Sequence, residues 1–75
     1  MLRLRVREIA EQRGLKLSQL QREAKLTEGV ARRYWYGTRS GKASDNEPLT
    51  EINLNTLGAI ADVLQADPGD LLITN

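Results

Sequence analysis

The first six residues alternate: Leu2, Leu4 and Val6 are apolar, whereas Arg3 and Arg5 are charged. A period of two predicts a short strand or an extended arm. From Val6 the period lengthens. Val6, Ile9, Ala10 and Arg13 (through its aliphatic stem) share one helical face, and Gly14 stands where a helix stops, so a first helix is expected over about 5–13. Leu17, Leu20 and Ala24 share the face of a second helix, with Ser18 and Lys16 as alternative starting positions. Lys25 and Leu26 break that pattern. Thr27 is then an N-cap candidate, and Glu28 brings a carboxylate to the positive end of a third helix. This helix carries Ala31, Tyr34 and Trp35 inward, leaves Val30 to one side, and ends at Gly37.

Residues 38–53 (TRSGKASDNEPLTEIN) are rich in turn-forming types and read as a long loop, which in a small domain signals function or mobility. Its last part, 49–52, suits a short strand. The N-terminal arm is its expected partner, because neither segment is long enough to persist alone. Asn53 caps a fourth helix in which Leu54, Leu57, Ile60, Ala61 and Leu64 fall at helical spacing. Asp67 and Pro68 end it and open a short fifth helix to about Leu72, with Leu71 and Leu72 turned to the core. The expected fold is all-α: one compact domain over 1–75 with five helices, plus a small two-stranded β element from the arm and residues 49–52.

Composition narrows the chemistry. A 75-residue chain buries only ~60% of the surface its unfolded form exposes, so one modest core is expected. There is no Cys and no His, hence no disulfide, thiolate site or imidazole base, and no metal or other cofactor is expected. Asp45 and Glu47 do not follow a calcium-loop pattern. Isolated carboxylates and lysines, without a phosphate-cradling Gly-rich loop or a nucleophile–base pair, argue against an enzyme and give no sign of a small-molecule substrate. No apolar run is long enough for a membrane span, and the N-terminus lacks a secretory h-region, so a cytoplasmic protein is expected.

The net charge of +1 conceals an asymmetry. All eleven Lys and Arg lie within residues 1–42 beside four Glu, a net +7, whereas residues 43–75 hold six acidic groups and no basic one. A basic half on a small domain points to a polyanion partner, although solvated helix faces would give the same count.

The second and third helices sharpen this. Two short helices joined by a three- or four-residue turn form the helix-turn-helix pattern, here about 17–37. Its inward contacts fall at Leu20, Leu26 and Ala31, with Tyr34 one turn on. On these residues the chain resembles the Cro/C1-type (XRE-type) helix-turn-helix DNA-binding domains. RLRVREIAEQRGL is similar to that family's first helix, LSQLQREAKLTEGVARRYWYG to its helix-turn-helix, and INLNTLGAIADVLQADPGDLL to its closing helices, L-x-x-I-A-x-x-L and D-P-G-D-L-L being the most specific parts. The resemblance implies a five-helix, lambda-repressor-like domain that binds double-stranded DNA through helix 3 and commonly dimerises on two-fold operators. Three positions depart from the family pattern: Leu17 replaces a backbone-contacting Gln, Gln21 a close-packing Ala, and Lys25 the glycine of a left-handed turn.

Helix-turn-helix proteins offer the N-terminal part of their second helix to base edges in the major groove. With Ala31 and Tyr34 assigned to the core, the outward set is Thr27, Glu28, Gly29, Arg32 and Arg33. Arg32 and Arg33 are the candidate readers, since a guanidinium donates bidentately to guanine or binds phosphate. Glu28 is either a cytosine acceptor or a helix-dipole residue. Thr27 is expected to bond a phosphate while capping the helix, and Gly29 to allow close approach. Tyr36, Arg39 and Lys42 are candidates for the DNA backbone beyond helix 3. Arg3, Arg5 and Arg7 form a second basic set, read either as an arm reaching DNA or as decoration of a solvent-facing strand.

The function expected is a sequence-specific DNA-binding transcription regulator, a repressor, working as a homodimer through the tail 71–75 or the N-terminal arm. The alternative is a protein-interaction module, such as an antitoxin or anti-repressor partner, using the acidic half and the Leu71-Leu72-Ile73 run.

Overall fold

The two ends of the chain meet. In the computed structural model, which describes residues 2–74, strand β1 (Leu2–Leu4) pairs antiparallel with strand β2 (Leu72–Thr74), Leu4 opposite Leu72. Met1 and Asn75, the outermost residues of the arm and the tail, lie outside the described residues. Between the strands run helices α1 (Val6–Gln12), α2 (Leu17–Glu23), α3 (Glu28–Tyr36) and α4 (Leu54–Leu64), then a 3₁₀ turn (Pro68–Leu71).

The core draws on every helix. Val6, Ile9 and Ala10 come from α1, Leu20 from α2, Ala31, Tyr34 and Trp35 from α3, Leu57, Ile60, Ala61 and Leu64 from α4, and Leu71 from the 3₁₀ turn. Complete burial of one such leucine or isoleucine contributes about 1.5–3 kcal/mol. Arg13 is the exposed C-cap of α1 rather than a member of its apolar face, because the helix closes one turn after Ile9. Lys16 is the N-cap of α2, and its N–H donates to Gln19 Oε1.

The turn between α2 and α3 holds Lys25 at φ 57°, in the left-handed region. The Lys25 N–H returns to the Arg22 carbonyl and the Leu26 N–H to that of Gln21, which satisfies the last carbonyls of α2. Leu26 thereby packs half-buried against the core and fixes the crossing of α2 on α3. α4 closes in the same way, with Gln65 at φ 54°.

Two sequence expectations are corrected. The arm pairs with 72–74, not with 49–52. The Arg5 N–H donates to the Leu71 carbonyl at 2.7 Å, and this sets the register of the two ends. Residues 49–52 are irregular. The Leu49 N–H is taken by the Gly37 carbonyl at 2.9 Å, and Leu4, Leu49 and Ile52 line a small apolar pocket of about 230 Å³ with Pro48. The fifth helix is a four-residue 3₁₀ turn, so among the described residues the α-helices number four. Leu72 leaves that turn as β2, and both Leu72 and Ile73 are half-buried. The Leu71-Leu72-Ile73 run therefore serves the fold's own core and sheet.

Residues 38–48 are ordered by themselves. Thr38 and Pro48 bridge the two sides, the Arg39 N–H donates to the Glu47 carbonyl at 3.0 Å, and Thr38 Oγ1 donates to the Lys42 carbonyl at 3.0 Å. Among the described residues no helix is long and apolar enough to cross a membrane.

Candidate nucleic-acid interface

Thr27 starts α3 with extended backbone, and its Oγ1 accepts the Val30 N–H at 3.4 Å. The cap satisfies one of the first-turn donors, and the remainder point outward along the helix axis. The inward face is buried Ala31, Tyr34 and Trp35; the outward face is exposed Glu28, Gly29, Arg32 and Arg33. This division is the one that the sequence predicts.

The four outward residues are not equivalent. Arg32 Nε lies 3.4 Å from Glu28 Oε1, one helical turn away. The pair is exposed and so adds little stability, but it draws the Arg32 side chain along the helix. Arg33 has no ion-pair partner among the described residues. Its Nη2 lies 4.0 Å from the point where a Cβ on Gly29 would sit, so the guanidinium lies above a residue with no side chain.

Beyond α3, Tyr36 is half-buried and covered by Arg7 of α1, whose guanidinium carbon lies 5.8 Å from the ring centroid. Arg7 also pairs with Glu11 at 3.4 Å. Tyr36 therefore occupies the seam between α1 and α3. Arg39 pairs with Glu47 at 3.2 Å, and Lys42 is exposed and unpaired among the described residues. Arg33 and Arg39 both line an open groove of about 650 Å³ between α3 and the start of α4, together with Val30, Asn53 and Thr56. Arg3 and Arg5 converge on Glu8 at 3.8 and 3.3 Å, on β1 and at the start of α1. Among the described residues, then, five cations are paired, and Arg13, Lys16, Arg22, Lys25, Arg33 and Lys42 are not. All six lie within or beside the helix-turn-helix and the loop that follows it.

Two residues of this region escape a reading of residue types. Gly41, in the loop, is buried at φ 83° and seated against α3. Asp45 organises the same loop: its Oδ2 accepts the Ser40 N–H at 3.0 Å and its Oδ1 the Glu47 N–H at 2.9 Å. The Ser40 side chain foremost, then these two N–H groups and the charge of Arg39, hold the Asp45 carboxyl below the usual aspartate range. The Ser, Gly and Asp of the segment signal turns, but not the helix against which they fold.

The comparisons with known proteins agree with this geometry. Residues 5–75 match the family model of the Cro/C1-type HTH DNA-binding domain. No curated protein and no solved structure matches the chain. With the match spanning all four helices, the chain belongs to the Cro/C1-type helix-turn-helix DNA-binding domain family.

Proposed function

We propose that the chain is a sequence-specific transcription regulator, a repressor, that reads the major groove of double-stranded DNA with α3. The observation that carries this reading is Arg33: exposed, without an ion-pair partner among the described residues, and lying over Gly29 on the outward face of the second helix of a helix-turn-helix. There a guanidinium can donate bidentately to guanine O6 and N7. Arg32 works beside it, aimed by Glu28, which acts as a buttress rather than a base acceptor. Gly29 lets the helix approach the base edges. Thr27, with Arg39 and Lys42 of the loop, meets phosphates on either side. Tyr36 contributes where it borders α1.

The whole of 1–75 serves as the DNA-binding unit. In this reading it acts in the cytoplasm as a homodimer on two-fold half-sites one helical turn apart, ~34–36 Å. The carboxylates of Asp62, Asp67 and Asp70 repel phosphates and orient the domain, whereas Glu47 pairs with Arg39 beside the proposed interface. Selection of bound oligonucleotides from a random pool tests the reading. A recovered motif with mirrored halves is expected, with log affinity falling by about 0.9 per neutralised phosphate for each unit of log salt. Binding no stronger than that of a Lys/Arg-matched control peptide at low salt would reject it.

One observation favours a second reading, a protein-interaction module of the antitoxin or anti-repressor-partner type. Leu54, at the start of α4, is 79% exposed, the exposed large apolar side chain of the described surface. A partner retained in a pulldown after both Arg32 and Arg33 are replaced by alanine would support this class; such a module and DNA binding are not exclusive.

A further inference from the structure

Arg33 is bracketed by two glycines from different parts of the chain. Gly29, one turn earlier on α3, leaves room beneath its guanidinium. Gly41, on the loop, presses against its stem. A Cβ on Gly41 would stand 3.2 Å from Arg32 Cβ, 3.3 Å from the Arg33 backbone nitrogen and 3.4 Å from Arg33 Cγ. The first two separations are tighter than ordinary van der Waals contact, and the third is at its edge. One of them is to helix backbone, which cannot swing aside, so the loop would have to lift. The backbone at φ 83° also disfavours any L side chain. The loop therefore forms a wall along one side of the two arginines. Because Gly41 has no side chain, the loop can lie close along α3 here, and any side chain at this position would displace either the loop or the Arg33 stem.

The wall is built to keep its shape. Ser40, the residue before Gly41, gives its N–H to Asp45 Oδ2, and Asp45 Oδ1 takes the Glu47 N–H across the loop. The Lys42 N–H, just after Gly41, donates to Ser40 Oγ at 3.3 Å, and the Lys42 carbonyl accepts from Thr38 Oγ1. Thr38 is itself buried. Gly41 is thus flanked on both sides by anchored residues, Ser40 through the Asp45 carboxylate and Lys42 through Ser40 and Thr38.

We infer that Gly41 is a specificity-determining positioning residue: seated on α3, it sets the direction in which Arg33 addresses DNA, and Asp45 holds it there. The inference rests on the reading of α3 as the recognition helix. Its chemistry is that of an Arg–guanine contact, which needs two parallel hydrogen bonds and loses its selectivity when the fork is turned. Neither Gly41 nor Asp45 need touch the nucleic acid.

The test compares four proteins, wild type, Gly41→Ala, Asp45→Ala and Arg33→Ala, by selection from a random oligonucleotide pool and by titration of the wild-type motif at several salt concentrations. Each protein is held at a temperature where Trp35 fluorescence reports it folded. Both loop variants are expected to lose preference at the base position that Arg33→Ala also relaxes. Affinity for the wild-type motif should fall on the order of tenfold, as for a lost base contact, and the salt slope reports separately on Arg39 and Lys42, the phosphate contacts carried by the same loop. A merely structural role would lower binding to every sequence alike and leave the selected motif intact. If folded Gly41→Ala selects the wild-type motif with undiminished preference, the inference is overturned. Should Gly41→Ala not fold, Asp45→Ala, altered at a position away from α3, decides by the same criterion. A wild-type chain that selects no motif rejects the recognition-helix reading itself, an outcome distinct from variants that behave like a selective wild type.

Discussion

The Tyr34 hydroxyl accepts the backbone N–H of Asn53 at 2.8 Å, joining the third helix to the residue that caps the fourth. The Tyr34 ring lies in the core, and Asn53 Oδ1 in turn accepts the N–H groups of Asn55 and Thr56 at 2.8 and 3.2 Å. One phenol thus fixes where the chain re-enters helix after its long excursion, and the exit of the loop is held relative to α3. Tyr34→Phe keeps the ring and removes the acceptor. It is expected to destabilise the fold by about 1 kcal/mol, the worth of a part-buried hydrogen bond. Asn53→Ala should lose a similar amount, about 1 kcal/mol, through its cap. Urea unfolding followed by Trp35 emission measures both, and a Tyr34→Phe midpoint equal to that of wild type would show the bond to be idle.

Arg32 and Arg33 should separate in a binding assay. Arg33→Ala is expected to weaken the selected site by ~1–3 kcal/mol, and Arg33→Lys should not restore it, because a lysine cannot supply the bidentate fork. Arg32→Ala should weaken binding less, since its guanidinium is already paired to Glu28. Glu28→Gln frees that guanidinium and is expected to raise affinity for unrelated DNA. Fluorescence anisotropy on specific and scrambled duplexes checks the order; equal losses for the two arginines would contradict it.

Lys25 stands where its backbone conformation favours glycine. Lys25→Gly should relieve ~1–2 kcal/mol, partly offset by the greater freedom glycine has in the unfolded chain. A net gain near 1 kcal/mol would raise the melting temperature by about 4–8 °C in a domain of this size. Calorimetry is the direct measurement, and a lowered transition would mean that the lysine side chain stabilises the turn in some other way.

Gly29→Ala separates stability from binding. Alanine in an exposed helix position is more stable than glycine by roughly 0.5–1 kcal/mol. The added methyl would occupy the space beneath the Arg33 guanidinium and thicken the face offered to the groove. Higher thermal stability with weaker binding to the selected motif is expected; unchanged affinity would show that close approach at residue 29 is not needed.

The loop should respond to acid through Asp45. Its carboxyl titrates below the ordinary 3.8 because the folded loop stabilises the charged form. A depressed folded value means that this contribution is complete above the ordinary aspartate value and is lost as pH falls through the folded one. The Ser40 and Glu47 amide resonances, both bonded to this carboxylate, should follow one titration with a midpoint under 3.8. Asp45→Asn should abolish that titration, and a midpoint at or above the ordinary value would contradict the loop geometry.

Much of the recognition unit is legible in the sequence because it is local. The inward set Leu20, Leu26, Ala31 and Tyr34 follows from helical spacing and one turn, and Thr27 and Asn53 announce their helices by side-chain chemistry that acts within three residues. The left-handed turn at Lys25 is anticipated only through the family resemblance, in which that position is a glycine. By contrast, β2 is hidden. Leu72, Ile73 and Thr74 form a run too short to show a period, and their partner is at the other end of the chain. The loop is legible only as a turn-rich segment, because its bonds to Asp45 need a particular three-dimensional closure to form.

The opening alternation of Leu2, Leu4 and Val6 shows the same division. Local pattern suffices for the extended run Leu2–Leu4, the positions of α1 to α4 and the outward face of α3, because period and capping act over a few residues. The tertiary structure alone decided that the arm pairs with 72–74, that Arg3 and Arg5 converge on Glu8, and that Gly41 rests on Arg33. Those outcomes depend on which distant surfaces come within bonding reach once α4 has packed, and no local pattern records that.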